Sequence, residues 1–277
     1  MKAEPSSVSV RRWSDGRVNA SERDVVAVEE PMELRVGDRS VAVLMRTPGQ
    51  DRELAAGFLL TEGVIRSGVD LLDVVRCRDQ EGAGPGNVVN AILAPTVQVD
   101  FERLTRHVFS SSSCGVCGKA TLDAVVQAFP PVTVRTEFDA SRLGELPARL
   151  RAAQPCFEST GGLHGCALFG TSGELEAVQE DVGRHNAVDK VLGRALLDGR
   201  LPLHSSGLLL SGRISFELVQ KALAAGVPLV AGLGAPSTLA LECARRGGIT
   251  VVGFLRADRF NVYTGYERLK GGNGGAA

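Results

Sequence analysis

The stretch "GLLLSGRISFELVQKALAAGVPLVAGLGAPSTLALECARRGGITVVGFL", residues 207–255, decides the fold of this chain. Three short apolar runs, "GLLLS", "VPLVAGLG" and "ITVVGFL", alternate in it with two helical segments, "ISFELVQKALAAG" and "STLALECARRGG". Short apolar runs separated by helices are typical of buried parallel strands. The stretch therefore predicts a βαβαβ unit, and with it an α/β domain.

An earlier segment extends this unit. The run "HGCALFG", the turn "TSGE" and the run beginning "LEAVQED" predict antiparallel edge strands, and "VGRHNAVDKVLGRALLDG" predicts a long helix after them. The core face of that helix has apolar residues at helical spacing: Val188, Val191, Leu192, Ala195 and Leu196.

The first half of the chain has a different pattern. The segment "DVVAVEEPMELRVGDRSVAVLMRT" alternates around a Gly37-Asp38 turn, which predicts a β-hairpin. Asp51 is expected to cap a helix, "RELAAGFLLTEG", which Gly63 closes. The runs "DLLDVVRC" and "NVVNAILAPTVQVDF" read as further strands, so this half is expected to be a small α+β domain.

These patterns divide the chain into five parts. They are a flexible N-terminus (1–20), a small α+β domain (21–108), a cysteine loop (109–119), an α/β domain (120–269) and a flexible tail (270–277).

Composition limits the function classes. Lys and Arg number 31 against 32 Asp and Glu, so no strong overall charge attracts nucleic acid or an anionic membrane. The start of the chain lacks the apolar core of a signal peptide, and we expect a cytoplasmic protein with no membrane segment. In that reducing compartment a close cysteine pair is more often catalytic or metal-binding than disulfide-bonded, and the scattered cysteines are expected in the core: Cys77, Cys156, Cys166 and Cys243.

The close pair lies in "SSSSCGVCGK", residues 110–119, directly before the predicted helix "KATLDAVVQAF". A helix N-terminus, the nearby Lys119 and the C-x-x-C spacing each lower a thiol pKa, so Cys114 and Cys117 are candidate nucleophiles. A zinc site is disfavoured because a second ligand pair is missing, and only His164 and Cys166 could complete it. A dithiol switch and a sulfur relay through a persulfide both remain open.

A second candidate site lies beyond the carboxyl ends of the predicted parallel strands, where such sheets bind ligands. The strand ends read "SGR" (211–213), "GAPS" (234–237) and "LRADR" (255–259). Bidentate arginine side chains and helix N-termini can bind a nucleotide-like anion. The alternative interpretation is that these segments are ordinary turns and that the arginines are solvated. The candidates are Arg213, Ser237, Arg256 and Arg259.

The segment "EDVGRHNAVDK" is also a candidate. Asp181 is expected to cap its helix, and the opening turns combine Arg184, His185, Asn186, Asp189 and Lys190. They form either a solvated face or a group that orients a ligand or a proton. His164 is expected to be a core or supporting histidine, and Glu217 with Lys221 a surface ion pair.

Taken together and in order, seven motifs resemble the FdhD family, the formate dehydrogenase accessory sulfurtransferases. They are "TPGQDRELAAGFLLTEG", "SSSCGVCGK", "STGGLHGCAL", "EDVGRHNAVDK", "SGRISFELVQKALAAGVP", "GAPSTLALECARRGGITVVGF" and "RFNVYTG". The resemblance implies a small N-terminal domain followed by a cytidine-deaminase-like α/β domain. A working zinc deaminase is disfavoured, because Cys166 stands where its H-x-E motif has the glutamate.

The resemblance also implies a function. Cys114 matches the family's persulfide-bearing cysteine and Cys117 its partner. The segment "FLRADR" (Phe254, Leu255, Arg256, Ala257, Asp258 and Arg259) matches the stretch that binds the molybdenum cofactor, Mo-bis-molybdopterin guanine dinucleotide, which a guanine nucleotide would mimic. The implied partners are a cysteine desulfurase as sulfur donor, formate dehydrogenase and a second copy of the chain. A cofactor-binding chaperone and a dithiol oxidoreductase are the alternatives.

Overall fold

A computed structural model describes residues 5–77, 86–101, 104 and 118–271 of the chain. Regular structure begins with an antiparallel hairpin of β1 (Ser6–Ser14) and β2 (Arg17–Val26). The expectation of a flexible segment over 1–20 is therefore wrong from Ser6 onward. The sequence contains a signal for this hairpin, the dipeptide Asp15-Gly16. Both residues have positive φ, 53° and 77°, as a two-residue hairpin turn requires.

A four-stranded sheet follows, in the order β4, β3, β6, β5. Its strands are β3 (Glu30–Val36), β4 (Arg39–Arg46), β5 (Leu71–Cys77) and β6 (Val88–Leu93). The predicted hairpin is confirmed, since β3 and β4 pair antiparallel around Gly37 and Asp38. The strand predicted for "NVVNAILAPTVQVDF" ends early, because Pro95 has no N–H group and the amide of Val97 bonds back to the carbonyl of Ala94 (3.0 Å).

The helix α1 (Asp51–Thr61) connects β4 to a 3₁₀ turn (Gly68–Asp70). Gly63 lies just beyond the helix with φ 73°, as predicted. The predicted capping role of Asp51 is wrong. Gln50 occupies the cap position, and the buried Asp51 carboxylate instead accepts hydrogen bonds from Arg46 and Arg76.

The helix predicted after the cysteine loop is confirmed as α2 (Gly118–Ala128), with Leu122 and Val125 buried. Short elements lead from it to the second sheet. They are β7 (Phe138–Asp139), α3 (Ala140–Leu143), α4 (Leu146–Ala152) and α5 (Pro155–Thr160).

A six-stranded sheet forms the second half, in the order β13, β12, β11, β10, β8, β9. Its strands are β8 (His164–Phe169), β9 (Leu175–Asp181), β10 (Gly207–Leu210), β11 (Leu229–Gly232), β12 (Thr250–Gly253) and β13 (Asn261–Thr264). Its helices are α6 (Arg184–Leu197), α7 (Phe216–Ala224) and α8 (Thr238–Gly247), and a 3₁₀ turn (Tyr266–Arg268) precedes β14 (Leu269–Lys270).

The topology confirms the predicted βαβαβ unit, because β10, β11 and β12 are parallel. The predicted antiparallel strands are β8 and β9, of which β9 is the edge and β8 pairs with β10. Alternate residues of β10 face opposite layers: Leu208 and Leu210 belong to the main core with α6 and α7, and Leu209 packs with α3 and α4. The fold is therefore a mixed α/β structure with helices on both faces of this sheet.

The main core continues without a break from the four-stranded sheet into the helices of the second half. The predicted apolar face of α6 is buried in it, and α6 packs lengthwise against α1. A Cβ atom at Gly57 would overlap the backbone of Asp189, and one at Gly193 would overlap the backbone of Glu53. Glycine at both positions thus lets the two helices approach to backbone contact.

Candidate functional site

Cys114 and Cys117 lie outside the described residues, as do the serines before them. The described chain resumes at Gly118, which is the first residue of α2. The helix predicted after the cysteine pair is therefore confirmed, and the prediction for the pair itself stays a prediction.

The three loops predicted to meet at the carboxyl ends of the parallel strands do lie side by side. These loops, 211–215, 233–237 and 254–259, are called the rim below. The amide of Gly234 donates to the carbonyl of Gly212 (2.9 Å), and the amide of Phe254 donates to the carbonyl of Gly234 (3.1 Å). A Cβ at Gly234 would come within 2.8 Å of the Gly212 carbonyl oxygen and the Arg213 amide, so the loops can approach this closely only because glycine is there.

The last rim loop contains "FLRADR", in which the six side chains differ in accessibility. Phe254 has a φ of 51° and its side chain is 44% exposed, whereas Leu255 is fully buried in the core. The guanidinium of Arg256 donates to the carbonyls of Leu233 (2.8 Å) and Leu255 (2.7 Å), which ties this loop to its neighbour. The Leu255 side chain is therefore part of the core, the other five side chains of the stretch are exposed, and cofactor binding by this stretch stays a prediction.

The exposed cations of the rim are Arg213, Arg256 and Arg259. Arg259 lies 3.2 Å from the neighbouring Asp258 carboxylate, and both side chains are mostly exposed, so this pair is weak and open to competition from an anion. Ser237 caps α8 by accepting a hydrogen bond from the amide of Ala240 (3.3 Å). Its hydroxyl therefore supports the helix, and the helix N-terminus remains at the rim.

His164 lies at the same edge, because β8 runs antiparallel to β10 and begins where β10 ends. Its ring lies against Gly212. Burial lowers the pKa of His164, and the neighbouring charges of Arg184 and His185 lower it further. The structure thus brings together His164, Arg184 and His185, and the lowered pKa of His164 favours its neutral imidazole.

His185 has a carboxylate neighbour that the sequence analysis assigned elsewhere. Its Nε2 lies 3.9 Å from Oε2 of Glu217, in the first turn of α7. The nearby imidazole of His185 is the main cause that lowers the pKa of Glu217 to about 2, and its buried Nε2 has no hydrogen-bond partner at normal distance within the described part of the chain. Glu217 therefore keeps a negative charge beside His185, directly after the first rim loop.

The predicted surface pair of Glu217 and Lys221 is wrong. Lys221 is buried, and its Nζ lies 2.9 Å from both carboxylate oxygens of Asp189. The hydroxyl of Thr61 donates to the same carboxylate (2.9 Å). Burial raises the pKa of Asp189, and Lys221 offsets part of that rise. Asp189 is thus part of the scaffold and not of the ligand-facing surface.

A second buried pair joins the two halves of the chain. Asp181 and Lys190 are both fully buried, with Oδ2 and Nζ 2.7 Å apart. The amide of Thr47 donates to Asp181 (3.1 Å), and Asn186 donates to it from the first turn of α6 (3.0 Å). The predicted cap at Asp181 is wrong, since Gly183 occupies the N-cap position. Of the predicted cluster, only Arg184 and His185 face the rim.

Cys166 is fully buried, and burial raises the pKa of its thiol well above the ordinary value. Without a bound cation beside it, the Cys166 thiol therefore stays protonated at neutral pH and is a poor nucleophile. Within the described part of the chain, no group of three His, Cys, Asp or Glu side chains is placed to hold a metal ion. Nor does any described helix have the length and apolarity needed to span a membrane.

A family model described as FdhD/NarQ matches residues 27–270, which is most of the chain. This chain belongs to the FdhD/NarQ family. Two relatives, each called sulfur carrier protein FdhD, support the assignment. The protein from Streptomyces coelicolor is 49% identical over 269 residues, 94% of each chain, and that from Mycobacterium tuberculosis is 51% identical over 253 residues, 89% of this chain and 92% of its own.

A solved structure of a putative formate dehydrogenase accessory protein from Desulfotalea psychrophila is similar along the whole chain. Its TM-score is 0.77 at 25% identity, over 96% of this chain and 99% of that one. The mixed α/β fold and the family resemblance are therefore both confirmed.

Proposed function

We propose that this FdhD/NarQ protein is a sulfur carrier that supplies sulfur to the molybdenum cofactor of formate dehydrogenase. The observation that carries the proposal is the pair Cys114 and Cys117, which directly precedes α2 in a chain about half identical to proteins called sulfur carriers. A C-x-x-C pair at a helix N-terminus favours the thiolate that such chemistry needs. The protein would act in the cytoplasm as a sulfurtransferase.

The loading step is a thiol exchange. The Cys114 thiolate attacks the outer sulfur of a cysteine desulfurase persulfide, the sulfur–sulfur bond of the donor breaks, and its electron pair leaves with the desulfurase thiolate. Cys114 then holds the persulfide. In release, Cys117 either attacks the sulfur of Cys114, so that sulfide leaves and a Cys114–Cys117 disulfide forms, or it only stabilises the persulfide while an external thiolate attacks Cys114, so that sulfide leaves and a mixed disulfide forms. Either disulfide needs a thiol reductant for the next turnover.

The acceptor is a substrate, Mo-bis-molybdopterin guanine dinucleotide, and we assign it to the rim. Exposed arginines at 213, 256 and 259 suit its pyrophosphates, because guanidinium groups fork onto phosphate oxygens. His164, held neutral, can offer a ring N–H without adding charge, and Arg184 and His185 lie beside it. The six-stranded sheet with its mixed strand order is compatible with a cytidine-deaminase-like domain, in which ligands bind at this edge.

Intact-protein mass spectrometry tests the loading step after incubation with a cysteine desulfurase and free cysteine. The wild type should gain one sulfur atom that a reducing agent removes, and Cys114→Ala should gain none. Cys77→Ala is the matched control, because Cys77 is a half-buried thiol on β5 and should leave loading unchanged.

The same experiment distinguishes the alternatives. A folded chain that binds guanine nucleotide and never gains sulfur would be a cofactor-binding chaperone. A chain that cycles between dithiol and disulfide without persulfide would be a dithiol oxidoreductase. If Cys117→Ala loads sulfur but cannot release it, Cys117 resolves the persulfide.

A further inference from the structure

Three polar side chains at the start of α6 and α7 lie together without pairing to one another. They are His185 in the first turn of α6, Ser215 at the N-cap position of α7 and Glu217 in the first turn of α7, and they are called the α6–α7 cluster below. Within the described part of the chain, Nε2 of His185 and Oγ of Ser215 are buried and have no hydrogen-bond partner. Buried polar atoms are nearly always paired, so two unpaired ones around one carboxylate indicate a ligand that pairs them.

The carboxylate of Glu217 sets the kind of ligand. Its Oε2 lies 3.9 Å from Nε2 of His185, which is too long for a hydrogen bond, and its side chain is 56% exposed. The carboxylate is ionised at neutral pH, because its pKa is about 2. An ionised carboxylate only accepts hydrogen bonds and repels phosphate, so the part of a ligand that meets it must carry N–H groups and no negative charge.

Helix capping does not explain the cluster. An acidic residue in a first turn complements the helix dipole, and a serine at the N-cap position normally accepts a hydrogen bond from a backbone amide. Ser237 does so at the start of α8 (3.3 Å), whereas Ser215 makes no such bond at the start of α7. The hydrogen-bonding capacity of Ser215 is therefore unused, and so is that of Nε2 of His185.

The cluster lies where a nucleotide bound at the rim would place its base. The first rim loop ends at Ser215, and His164, whose pKa the charge of His185 lowers, packs its ring on Gly212 of the same loop. This loop follows β10, whereas the loop with Arg259 follows β12, two strands away. Two strand spacings are about 10 Å, which the ribose of a nucleoside diphosphate can bridge between its base and its phosphates.

We propose that the α6–α7 cluster reads an aminopyrimidinone edge, with Glu217 as the specificity-determining residue. Such an edge presents an amino group, a ring N–H and a carbonyl oxygen in a row. The two carboxylate oxygens accept from the amino group and the ring N–H, and Nε2 of His185, 3.9 Å from the nearer oxygen, donates to the carbonyl. The hydroxyl of Ser215, two residues before Glu217, donates to the same carboxylate and orients it.

This inference rests on the proposed function, because that function brings a guanine dinucleotide to the rim. Guanine carries the aminopyrimidinone edge, and so does the pterin of the same cofactor. Adenine does not, because it has an amino group in place of the carbonyl and a ring nitrogen without a proton. The cluster would thus let the protein reject adenine nucleotides, which offer the same phosphates to the rim arginines.

Calorimetric titration with nucleoside diphosphates that differ only in the base tests the reading. The wild type should bind guanosine diphosphate at least about tenfold more tightly than inosine diphosphate, which lacks the amino group. Glu217→Gln should reverse a preference. The glutamine amide accepts from the ring N–H and donates to the second carbonyl of xanthine, so the variant should lose about tenfold in affinity for guanosine diphosphate and gain affinity for xanthosine diphosphate.

Glu176→Gln is the matched control. It removes the same charge at the opposite end of the six-stranded sheet, where the Glu176 carboxylate accepts from Ser206 directly before β10 (2.8 Å). This variant should keep the wild-type preference. His185→Ala should weaken guanosine, inosine and xanthosine diphosphates by the same factor, since all three carry the carbonyl that Nε2 meets.

The pterin has its own arm of the experiment. Hydroxymethylpterin diphosphate combines the pterin edge with two phosphates, and it is titrated into the same proteins. A loss of affinity for guanosine diphosphate in Glu217→Gln assigns the edge to the guanine. A loss confined to the pterin diphosphate assigns the edge to the pterin.

Two results for Glu217→Gln would overturn the inference and leave the sulfur-carrier function standing, since loading on Cys114 is measured separately. One is that the variant binds both probes as the wild type does. The other is an equal loss for every base, which would make Glu217 a structural residue. A wild type that binds neither probe would overturn the inference together with the assignment of the cofactor to the rim.

Discussion

The buried junction and the rim use the same kinds of charged side chain in opposite ways. The junction consists of the pairs Asp181–Lys190 and Asp189–Lys221, which lie in the core between the two halves of the chain. The rim leaves Arg213 exposed and pairs Arg259 only with its neighbour. A buried charge must be fully paired, whereas an exposed one costs little and remains available to a ligand. The junction therefore fixes the position of α6, and α6 presents Arg184 and His185 at the rim.

The largest effect is expected at the fully buried pair. Lys190→Ala leaves Asp181 buried without its cation and should lower the free energy of unfolding by about 3–5 kcal/mol. Arg194→Ala is the control on the same helix, since its ion pair with Asp198 is exposed and should contribute less than about 0.5 kcal/mol. Urea unfolding of both variants provides the measurement, and equal losses would show that the junction does not hold the halves together.

The contribution of the second pair, Asp189 and Lys221, to the free energy of unfolding should depend on pH. The pKa of Asp189 is already raised in the folded protein, and Lys221→Met should raise it further. A raised folded-state pKa makes the ionised carboxyl destabilising, so the variant should lose stability as the pH rises above about 4, the unfolded value. Urea unfolding at pH 5 and pH 7 should show a larger deficit at pH 7. Adding Asp189→Asn should remove the pH dependence, and a deficit that persists would assign it to another group.

Rim substitutions should separate binding from stability. Arg259→Ala should weaken guanine nucleotide binding about tenfold, the contribution of one charged hydrogen bond, while the free energy of unfolding stays within about 0.5 kcal/mol. Arg52→Ala is the control, because Arg52 is an exposed arginine outside the rim that pairs with Asp73 (3.1 Å). Calorimetric titration with guanosine diphosphate measures both. Unchanged affinity in Arg259→Ala would place the nucleotide elsewhere.

The smallest effect concerns Glu217. Its pKa of about 2 depends mainly on His185, so His185→Asn should move the titration of Glu217 upward, toward the ordinary value of about 4.3. Nuclear magnetic resonance of the side-chain carboxyl carbon gives the midpoint in both proteins. A midpoint that does not move would mean that Ser215 or the helix N-terminus sets the charge instead.

The parallel strands could be predicted because short apolar runs between helices are a local signal. The meeting of their loops could be predicted because the carboxyl ends of parallel strands lie at one edge of a sheet. The junction could not. Asp189 and Lys221 are 32 residues apart, and only the packing of α1, α6 and α7 brings them together. Because Lys221 follows Glu217 by four residues, the sequence predicts an ordinary surface ion pair between them. In the structure Lys221 pairs instead with the buried carboxylate of Asp189. The hairpin of β1 and β2 was missed because its mostly exposed, largely polar side chains form no apolar face, although Asp15 and Gly16 are a typical pair for a hairpin turn.

The central claim is that sulfur is loaded on Cys114 and delivered to a cofactor held at the rim. Its most direct test is a single-turnover transfer with radiolabelled sulfur, from desulfurase-loaded protein to the molybdenum cofactor in the presence of formate dehydrogenase. The account predicts that Arg259→Ala loads label like the wild type and transfers much less of it, and that Cys114→Ala neither loads nor transfers. Label delivered by Cys114→Ala at the wild-type rate would contradict it.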